Sequence, residues 1–289
     1  MSTRAGTLIG CTSVVIWSLS ILLLIQLRSV PVIPLVGLLY LSSSIPSIVK
    51  LTLTKRWKGV HRNWKKWAYG ILLLSTFQFC VTMGVRKLHP AASELIVQLW
   101  PLCIVLLVGF LPRETFSSKY LIPIFIGGIG IWVLFWNQSQ FLPITWAILY
   151  PICACCSWSC YVLFSRYHRR DAPEMIGLYL GVGGAIALAI YFGSGGRVLL
   201  SSKELGCLVI LGVGVLGVAQ LMWDHGIKKG DIKVMSIFAN FNPALAIAWL
   251  IAFGYAKTTL NLLISYGLIL VATLYAYFLS FNERKSKHL

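Results

Sequence analysis

The chain has 289 residues, of which 58% are hydrophobic and only 11% are charged, and its formal net charge is +17. Soluble globular domains are roughly 25% charged, so this composition excludes an ordinary soluble domain. A large positive charge is also typical of nucleic-acid-binding proteins. The placement of the cations along the chain therefore has to decide between nucleic acid and a membrane surface.

Apolar segments of about the 20 residues that cross a bilayer as a helix recur along the whole chain. The sequence predicts ten, at 7–27, 32–54, 67–85, 91–111, 119–136, 143–165, 175–193, 205–225, 233–253 and 259–281. The expected fold class is an all-α polytopic membrane protein. The first segment exceeds a typical signal-peptide core and no A-x-A-like cleavage site follows it, so we expect it to remain as a membrane helix.

The cations are distributed unevenly between the two sides of the predicted bundle. With the N-terminus in the cytoplasm, the cytoplasmic segments collect most of the 25 Lys and Arg residues, as the positive-inside rule requires. This predicts a bacterial inner-membrane protein with both termini cytoplasmic. The densest run, KRWKGVHRNWKKW at 55–67, alternates cations with tryptophans. Such a pattern favours an interfacial anchor in contact with anionic lipids over nucleic-acid binding.

Two distant stretches share one residue pattern. GVRKLHPAASELIVQLWP (84–101) and GIKKGDIKVMSIFANFNP (226–243) both begin with Gly, continue with a cation pair and end in Pro, at an offset of 142 residues. Trp17 and Trp158 correspond at an offset of 141. The chain therefore divides into two predicted five-helix repeats, 1–141 and 142–289. Because five is odd, the second repeat would be inverted in the membrane, an arrangement typical of secondary transporters.

The repeat also aligns residues that suit a substrate site at membrane depth. Pro101 and Pro243 are expected to break predicted segments 4 and 9, and freed backbone groups are tolerated there only beside protein or a water-filled cavity. Amides correspond in pairs: Gln78 with Gln220, and Gln98 with Asn240. Such amides can equally hold helices together. The full set of candidate substrate-binding residues is Trp17, Phe77, Gln78, Gln98, Trp100, Trp158, Tyr161, Gln220, Asn240 and Asn242.

Few ionisable residues fall within the apolar segments, and three of them are candidates for proton coupling: Glu94, Asp224 and His225. Structural roles are the alternative. Glu94 near a helix N-terminus suits the helix dipole, or it could be neutralised by Arg86 or Lys87. Asp224 could pair with Lys228.

The remaining motifs predict packing rather than cofactor chemistry. Four cysteines in CACCSWSC (153–160) lie within an apolar segment and have no second cluster to complete a zinc site. The glycine-rich stretches lack the strand, helix and lysine context of a nucleotide loop. We therefore expect no metal, no cofactor and no intramembrane enzyme activity.

Four stretches carry a resemblance to the drug/metabolite transporter superfamily, and within it to the bacterial aromatic amino acid exporter branch. They are TLIGCTSVVIWS (7–18), LWP (99–101), SWSCYVLFSRY (157–167) and GIKKGDIKVMSIFANFNPALA (226–246). The resemblance implies a central cavity lined by predicted segments 1, 3, 4, 6, 8 and 9, with Trp17, Trp100 and Trp158 in its wall.

The chain departs from that branch at five positions, where the resemblance leads us to expect Tyr, acidic or small hydroxyl residues. This sequence has Phe or an amide there: Phe77, Gln78, Gln98, Asn240 and Asn242. The cavity should therefore be less aromatic and richer in amides. The leading hypothesis is a secondary transporter of a small amino-acid-like metabolite that works by alternating access. The resemblance leaves an S-adenosylmethionine or S-adenosylhomocysteine exchanger as an alternative, and a non-transporting membrane scaffold is the alternative of another class.

Overall fold

The computed structural model describes residues 3–60, 63–108, 118–136, 146–168, 171–172, 174–230, 235, 238–239 and 241–286. Within these ranges the chain is helical and contains no β-strand. The principal helices are α1 (Thr3–Trp17), α2 (Ser20–Gln26), α3 (Val32–Leu53), α4 (Trp64–Lys87), α5 (Pro90–Val97), α6 (Trp100–Val108), α7 (Leu121–Phe135), α8 (Leu149–Tyr167), α9 (Met175–Gly193), α10 (Ser202–Val209), α11 (Ala219–Lys229), α12 (Asn242–Ala252) and α13 (Leu260–Ser286). A π-helical segment, Ile210–Val218, joins α10 to α11.

Seven helical stretches in the described ranges are long and apolar enough to cross a membrane. They are Thr3–Gln26, Val32–Leu53, Trp64–Lys87, Trp146–Ser165, Met175–Gly193, Ser202–Trp223 and Leu260–Leu279. Three shorter apolar helices accompany them: Pro90–Ile104, Ser118–Val133 and Asn242–Ala252. The prediction of an all-helical polytopic membrane protein is confirmed, whereas the count of ten crossings and the inverted repeat remain predictions.

Two of the predicted apolar segments are interrupted, and only for the fourth was a break expected. The first is broken by a turn at Ser18 and Leu19, and the fourth by a turn at Gln98 and Leu99. Pro101 does not kink a helix from within but is the second residue of α6, and Pro243 is likewise the second residue of α12. Proline suits a first helical turn because its missing N–H would be unpaired there anyway.

Local capping fixes where two of the helices begin. The side chain of Asn63 accepts hydrogen bonds from the backbone N–H groups of Lys65 (3.0 Å) and Lys66 (3.4 Å) at the start of α4. Ser201 and Glu204 form a reciprocal capping box at the start of α10. Both arrangements satisfy backbone donors that an N-terminal turn leaves open.

The long helices pack in four main pairs: α1 with α11, α3 with α9, α4 with α8, and α7 with α13. Glycine permits the closest approaches. A Cβ added at Gly184 would lie 2.6 Å from the carbonyl oxygen of Gly37, and one added at Gly226 would lie 2.7 Å from Cα of Gly10. Small residues at such contacts let helix backbones meet, which is how helices associate within lipid.

The two ends of the bundle are held by different interactions. At the end where α2 turns into α3, Arg28 donates to the carbonyl of Val85 (2.5 Å), and Arg86 donates to the carbonyls of Leu27 and Val30. At the opposite end, Lys50 pairs with Glu174 at 2.8 Å, and Lys66 pairs with Asp171 at 2.9 Å. A cavity lies between these two ends.

Candidate functional site

A cavity of about 570 Å³ lies in the middle of the bundle. Helices from both halves of the chain form its wall, and most of the wall is apolar. Eleven residues singled out from the sequence line it: Trp17, Phe77, Gln78, Glu94, Gln98, Trp100, Pro101, Trp158, Gln220, Asn242 and Pro243. Residues far apart in the sequence are thus gathered around one space large enough for a small metabolite.

Two pairs of aromatic rings face the cavity. Trp17 of α1 lies against Trp223 of α11, with ring centroids 5.3 Å apart, and Phe77 of α4 lies against Trp158 of α8 at 5.0 Å. Tyr161 was predicted to bind substrate, but it does not line the cavity. It is 6% exposed and stacks on Trp158, with ring centroids 5.8 Å apart, within a buried cluster that also contains Leu178 and Tyr179.

Glu94 is the acidic group of the described cavity wall. Its side chain is 5% exposed, and its carboxylate accepts a hydrogen bond of 2.7 Å from Nε2 of Gln98. The two side chains meet because they are four residues apart, on adjacent turns. Arg86, considered from the sequence as a partner for Glu94, instead donates its described hydrogen bonds to backbone carbonyls.

The other four candidate amides have different surroundings. Gln78 is 4% exposed, and its Nε2 donates to Oγ1 of Thr82 at 3.5 Å. Gln220 is half-buried in the cavity wall. Asn242 also lines the cavity, and no described residue donates a hydrogen bond to its buried Oδ1. Asn240 lies outside the described residues.

The three candidates for proton coupling are not equally placed. Glu94 reaches the cavity, whereas His225 of α11 is not among the residues that line it. The side chain of Asp224 lies outside the described part of the structure, as does that of Lys228. Glu94 is therefore the candidate that the described geometry brings to the cavity.

Sequence reasoning missed several residues of the wall, among them Tyr40, Trp223, Tyr266, Thr273 and Tyr277. Trp223 could have been found, since it follows Gln220 by three residues and so shares its helix face. The last three belong to α13, outside the six segments that the family resemblance implied. This helix packs along α7 and beside α6, which brings its middle to the cavity.

The eight cysteines are free thiols. Sγ of Cys103 on α6 is 3.9 Å from Sγ of Cys156 on α8. In the ranges that the structure describes, no group of three His, Cys, Asp or Glu side chains is arranged to hold a metal ion. The thiols of Cys103 and Cys156 therefore contribute to the contact between α6 and α8.

A multi-pass helical protein with a central cavity, walled by aromatic and amide side chains beside helix breaks, has the architecture of a membrane transporter. Residues 145–278 match the model of the EamA-like transporter family. The chain is also 28% identical, over 96% of its length and 99% of the relative's, to the aromatic amino acid exporter YddG of Ancylobacter novellus. The second half of the chain therefore matches the EamA-like transporter family, and the similarity to an aromatic amino acid exporter over nearly the full length confirms the resemblance drawn from the sequence.

Two further similarities agree with this assignment. The chain is 25% identical to the uncharacterized transporter YyaM of Bacillus subtilis, over 64% of each protein. The crystal structure of another protein, 25% identical, superposes with a TM-score of 0.73 over 96% of this chain and 97% of that one. The similarity of fold therefore extends over nearly the whole chain.

Proposed function

We propose that the protein is a secondary transporter that carries a small amino-acid-like metabolite across the bacterial inner membrane by alternating access. The observation that carries this proposal is the central cavity, which has paired aromatic rings and amides contributed by both halves of the chain. The substrate would lie between the halves, with its planar part against Trp17 and Trp158 and its polar part at Gln98, Gln220 and Asn242.

The pairing of the helices supports two inverted repeats, 1–141 and 142–289. In this scheme α1 corresponds to α8, α3 to α9, α4 to α11 with its π-helical segment, and α7 to α13. Exchanging each helix for its counterpart converts the α1–α11 pair into the α8–α4 pair, and leaves α3–α9 and α7–α13 unchanged. A bundle with this symmetry can rock around a central site and open to either side in turn.

The basic segment at 55–67 supports an orientation with both termini in the cytoplasm. Lys55, Arg56, Lys58 and Lys65 are exposed. Nζ of Lys65 lies 5.9 Å from the ring centroid of Trp64, which is itself 71% exposed. Exposed cations beside an interfacial indole suit the anionic headgroups of a cytoplasmic leaflet.

The substrate class follows from the cavity and from the relative that the chain resembles. An aromatic amino acid is the first candidate, because the exporter YddG carries that description. An S-adenosylmethionine-type metabolite is the second candidate. Gln78, Gln98, Gln220 and Asn242 supply more amide groups to the wall than a purely aromatic substrate would use.

The test is uptake by liposomes that contain the purified protein and are preloaded with amino acids, nucleosides and S-adenosylmethionine. Labelled tryptophan and labelled S-adenosylmethionine are followed in parallel, with and without a pH gradient. We expect uptake of one of them, reduced in Gln98→Ala and Asn240→Ala. Gln26→Ala is the matched control, because this amide lies outside the cavity wall and donates to the hydroxyl of Tyr255 (2.7 Å).

The outcomes separate the hypotheses. If neither compound enters the liposomes, the result favours another substrate or a non-transporting scaffold. If uptake persists unchanged in both Gln98→Ala and Asn240→Ala, the proposed site is wrong although the transporter assignment stands. If uptake follows a pH gradient in the wild type and loses that dependence in Glu94→Gln, Glu94 couples protons to transport.

A further inference from the structure

The cavity has an uneven distribution of charge. Of the described residues that line it, Glu94 is acidic and none is Lys, Arg or His. We infer that the cavity selects substrates by a positive charge, an ammonium or sulfonium group that binds against the carboxylate of Glu94. The inference rests on the proposed transport function and specifies the class of substrate that the same site accepts.

The surroundings of Glu94 leave its charge largely uncompensated. The side chain is 5% exposed, and its described hydrogen bond comes from the neutral amide of Gln98. A carboxylate removed from water at a cost of several kcal/mol needs a counter-charge or further donors. An ammonium group supplies both, and a charge-assisted hydrogen bond is roughly twice as strong as a neutral one, whereas a sulfonium group supplies the counter-charge alone.

The charged groups on the elements around α5 are directed elsewhere. Arg28 and Arg86 lie at the end of the bundle where α4 turns into α5, and their described hydrogen bonds go to the backbone carbonyls of Val85, Leu27 and Val30. His89, immediately before α5, is part of the same turn. Arg28 and Arg86 brace the end of the bundle and Lys87 is exposed, and none of these residues is part of the cavity wall.

A second group in the wall also requires a donor. Oδ1 of Asn242 is buried and accepts no hydrogen bond from any described residue. Unpaired buried acceptors are costly, and an ammonium group brings three N–H donors to share between a carboxylate and an amide oxygen. The faces of Trp17 and Trp158 add cation–π attraction for the same charge. The unpaired acceptors and the aromatic faces thus favour the same ligand chemistry.

Ligands that differ only in charge test this inference directly. The indole series comprises tryptamine (cation), tryptophan (zwitterion), tryptophol (neutral) and indole-3-propionate (anion). S-adenosylmethionine and S-adenosylhomocysteine form a second pair that differs by the sulfonium methyl group. Each ligand is titrated calorimetrically into the purified protein in detergent, and empty micelles provide the blank. We expect tryptamine to bind roughly tenfold more tightly than tryptophol, or S-adenosylmethionine roughly tenfold more tightly than S-adenosylhomocysteine. Within the indole series, indole-3-propionate should bind most weakly.

Variants of Glu94 then assign the preference to this carboxylate. Glu94→Gln keeps the shape of the side chain but removes its charge, so we expect it to weaken binding of the preferred cation about tenfold and to leave tryptophol within about twofold. Glu94→Asp retains the charge and should retain the preference. If Glu94→Gln does not fold, as judged by size-exclusion chromatography, the wild-type series still decides whether the cavity selects by charge.

Failure of this inference can be distinguished from failure of the proposed function. Equal affinities for tryptamine and tryptophol, together with equal affinities for the two adenosyl compounds, would overturn charge selection while leaving a transporter that binds planar ligands. A preference that survives Glu94→Gln would also overturn it. No binding of any ligand, combined with no uptake in liposomes, would overturn the proposed function as well.

Discussion

The α1–α11 and α4–α8 helix pairs occupy corresponding places in the proposed repeats, and each presents an indole to the cavity. In the first pair Trp17 faces Trp223 at 5.3 Å, and in the second Trp158 faces Phe77 at 5.0 Å. Each pair also contains a closely packed glycine: Gly226 of α11 lies against the backbone of α1, and Gly84 of α4 lies against Ser93 of α5 and, less closely, Pro151 of α8.

The two pairs differ in what lies behind their rings. Trp158 is supported by the stacked ring of Tyr161 at 5.8 Å, and α8 is tied to α4 by a hydrogen bond of 2.6 Å from Ser157 Oγ to the carbonyl of Leu73. In the α1–α11 pair the helices meet backbone to backbone, with Gly226 against Gly10. The two pairs are therefore formed by corresponding helices, but different side chains surround each indole and determine how rigidly it is held.

Adding one methyl group at Gly226 and at Gly84 should produce the largest difference in stability. In Gly226→Ala the new Cβ would lie 2.7 Å from Cα of Gly10, which is backbone and cannot move aside. In Gly84→Ala the nearest atom, at 2.5 Å, is Oγ of Ser93, which has no described hydrogen bond to lose when it rotates. We expect Gly226→Ala to destabilise by about 1–3 kcal/mol and Gly84→Ala by clearly less.

Apparent unfolding temperatures in detergent, followed by circular dichroism, compare the two glycine variants. Gly214→Ala is the control, because a Cβ there meets no atom within 4 Å. Equal losses for Gly226→Ala and Gly84→Ala would mean that the two glycine contacts are equally tight.

Removing each tryptophan should give the next largest effect, this time on affinity. Trp158 is held in place by Tyr161, so less freedom is lost when a substrate stacks on it, whereas Trp17 ends α1 immediately before the turn at Ser18 and Leu19. We expect Trp158→Ala to weaken substrate binding roughly three- to tenfold, within the range for an aromatic contact, and Trp17→Ala by less. Tyr161→Ala should reproduce part of the Trp158→Ala loss although Tyr161 does not line the cavity.

Calorimetric titration of the transported substrate measures all three aromatic variants. The prediction is wrong if Trp17→Ala costs more affinity than Trp158→Ala, or if Tyr161→Ala has no effect.

The sequence predicted the helical membrane fold and much of the cavity wall for one physical reason. Polar and proline residues are expensive at membrane depth, so they stand out against an apolar background and suggest a site, as Gln98, Gln220 and Pro243 do. Their repetition at a fixed offset indicated that they would meet. The same reasoning identified Glu94, because a carboxylate within an apolar segment is costly and usually has a partner or a function.

Other features could not be read from the sequence. Helix α13 is apolar on all sides, so its pattern does not show that Tyr266 and Tyr277 face the cavity. The turn at Ser18 and Leu19 carries neither proline nor glycine as a local signal. The inward orientation of Tyr161 depends on packing against neighbouring helices, which single-residue patterns do not report.

The corresponding amides Gln78 and Gln220 should give the smallest effects and the clearest division of roles. Gln78 is 4% exposed and donates to Thr82 at 3.5 Å, so Gln78→Ala should remove a buried interaction and lower stability by about 1 kcal/mol. Gln220 is half-buried in the cavity wall, so Gln220→Ala should leave stability within about 0.5 kcal/mol of the wild type but weaken substrate binding about threefold. Unfolding temperature and substrate affinity, measured on the same preparations, separate the two roles. An equal loss of stability in both variants, with affinity unchanged in Gln220→Ala, would show that both amides act as interhelical contacts, and the α1–α11 pair would then contribute only its indoles to the site.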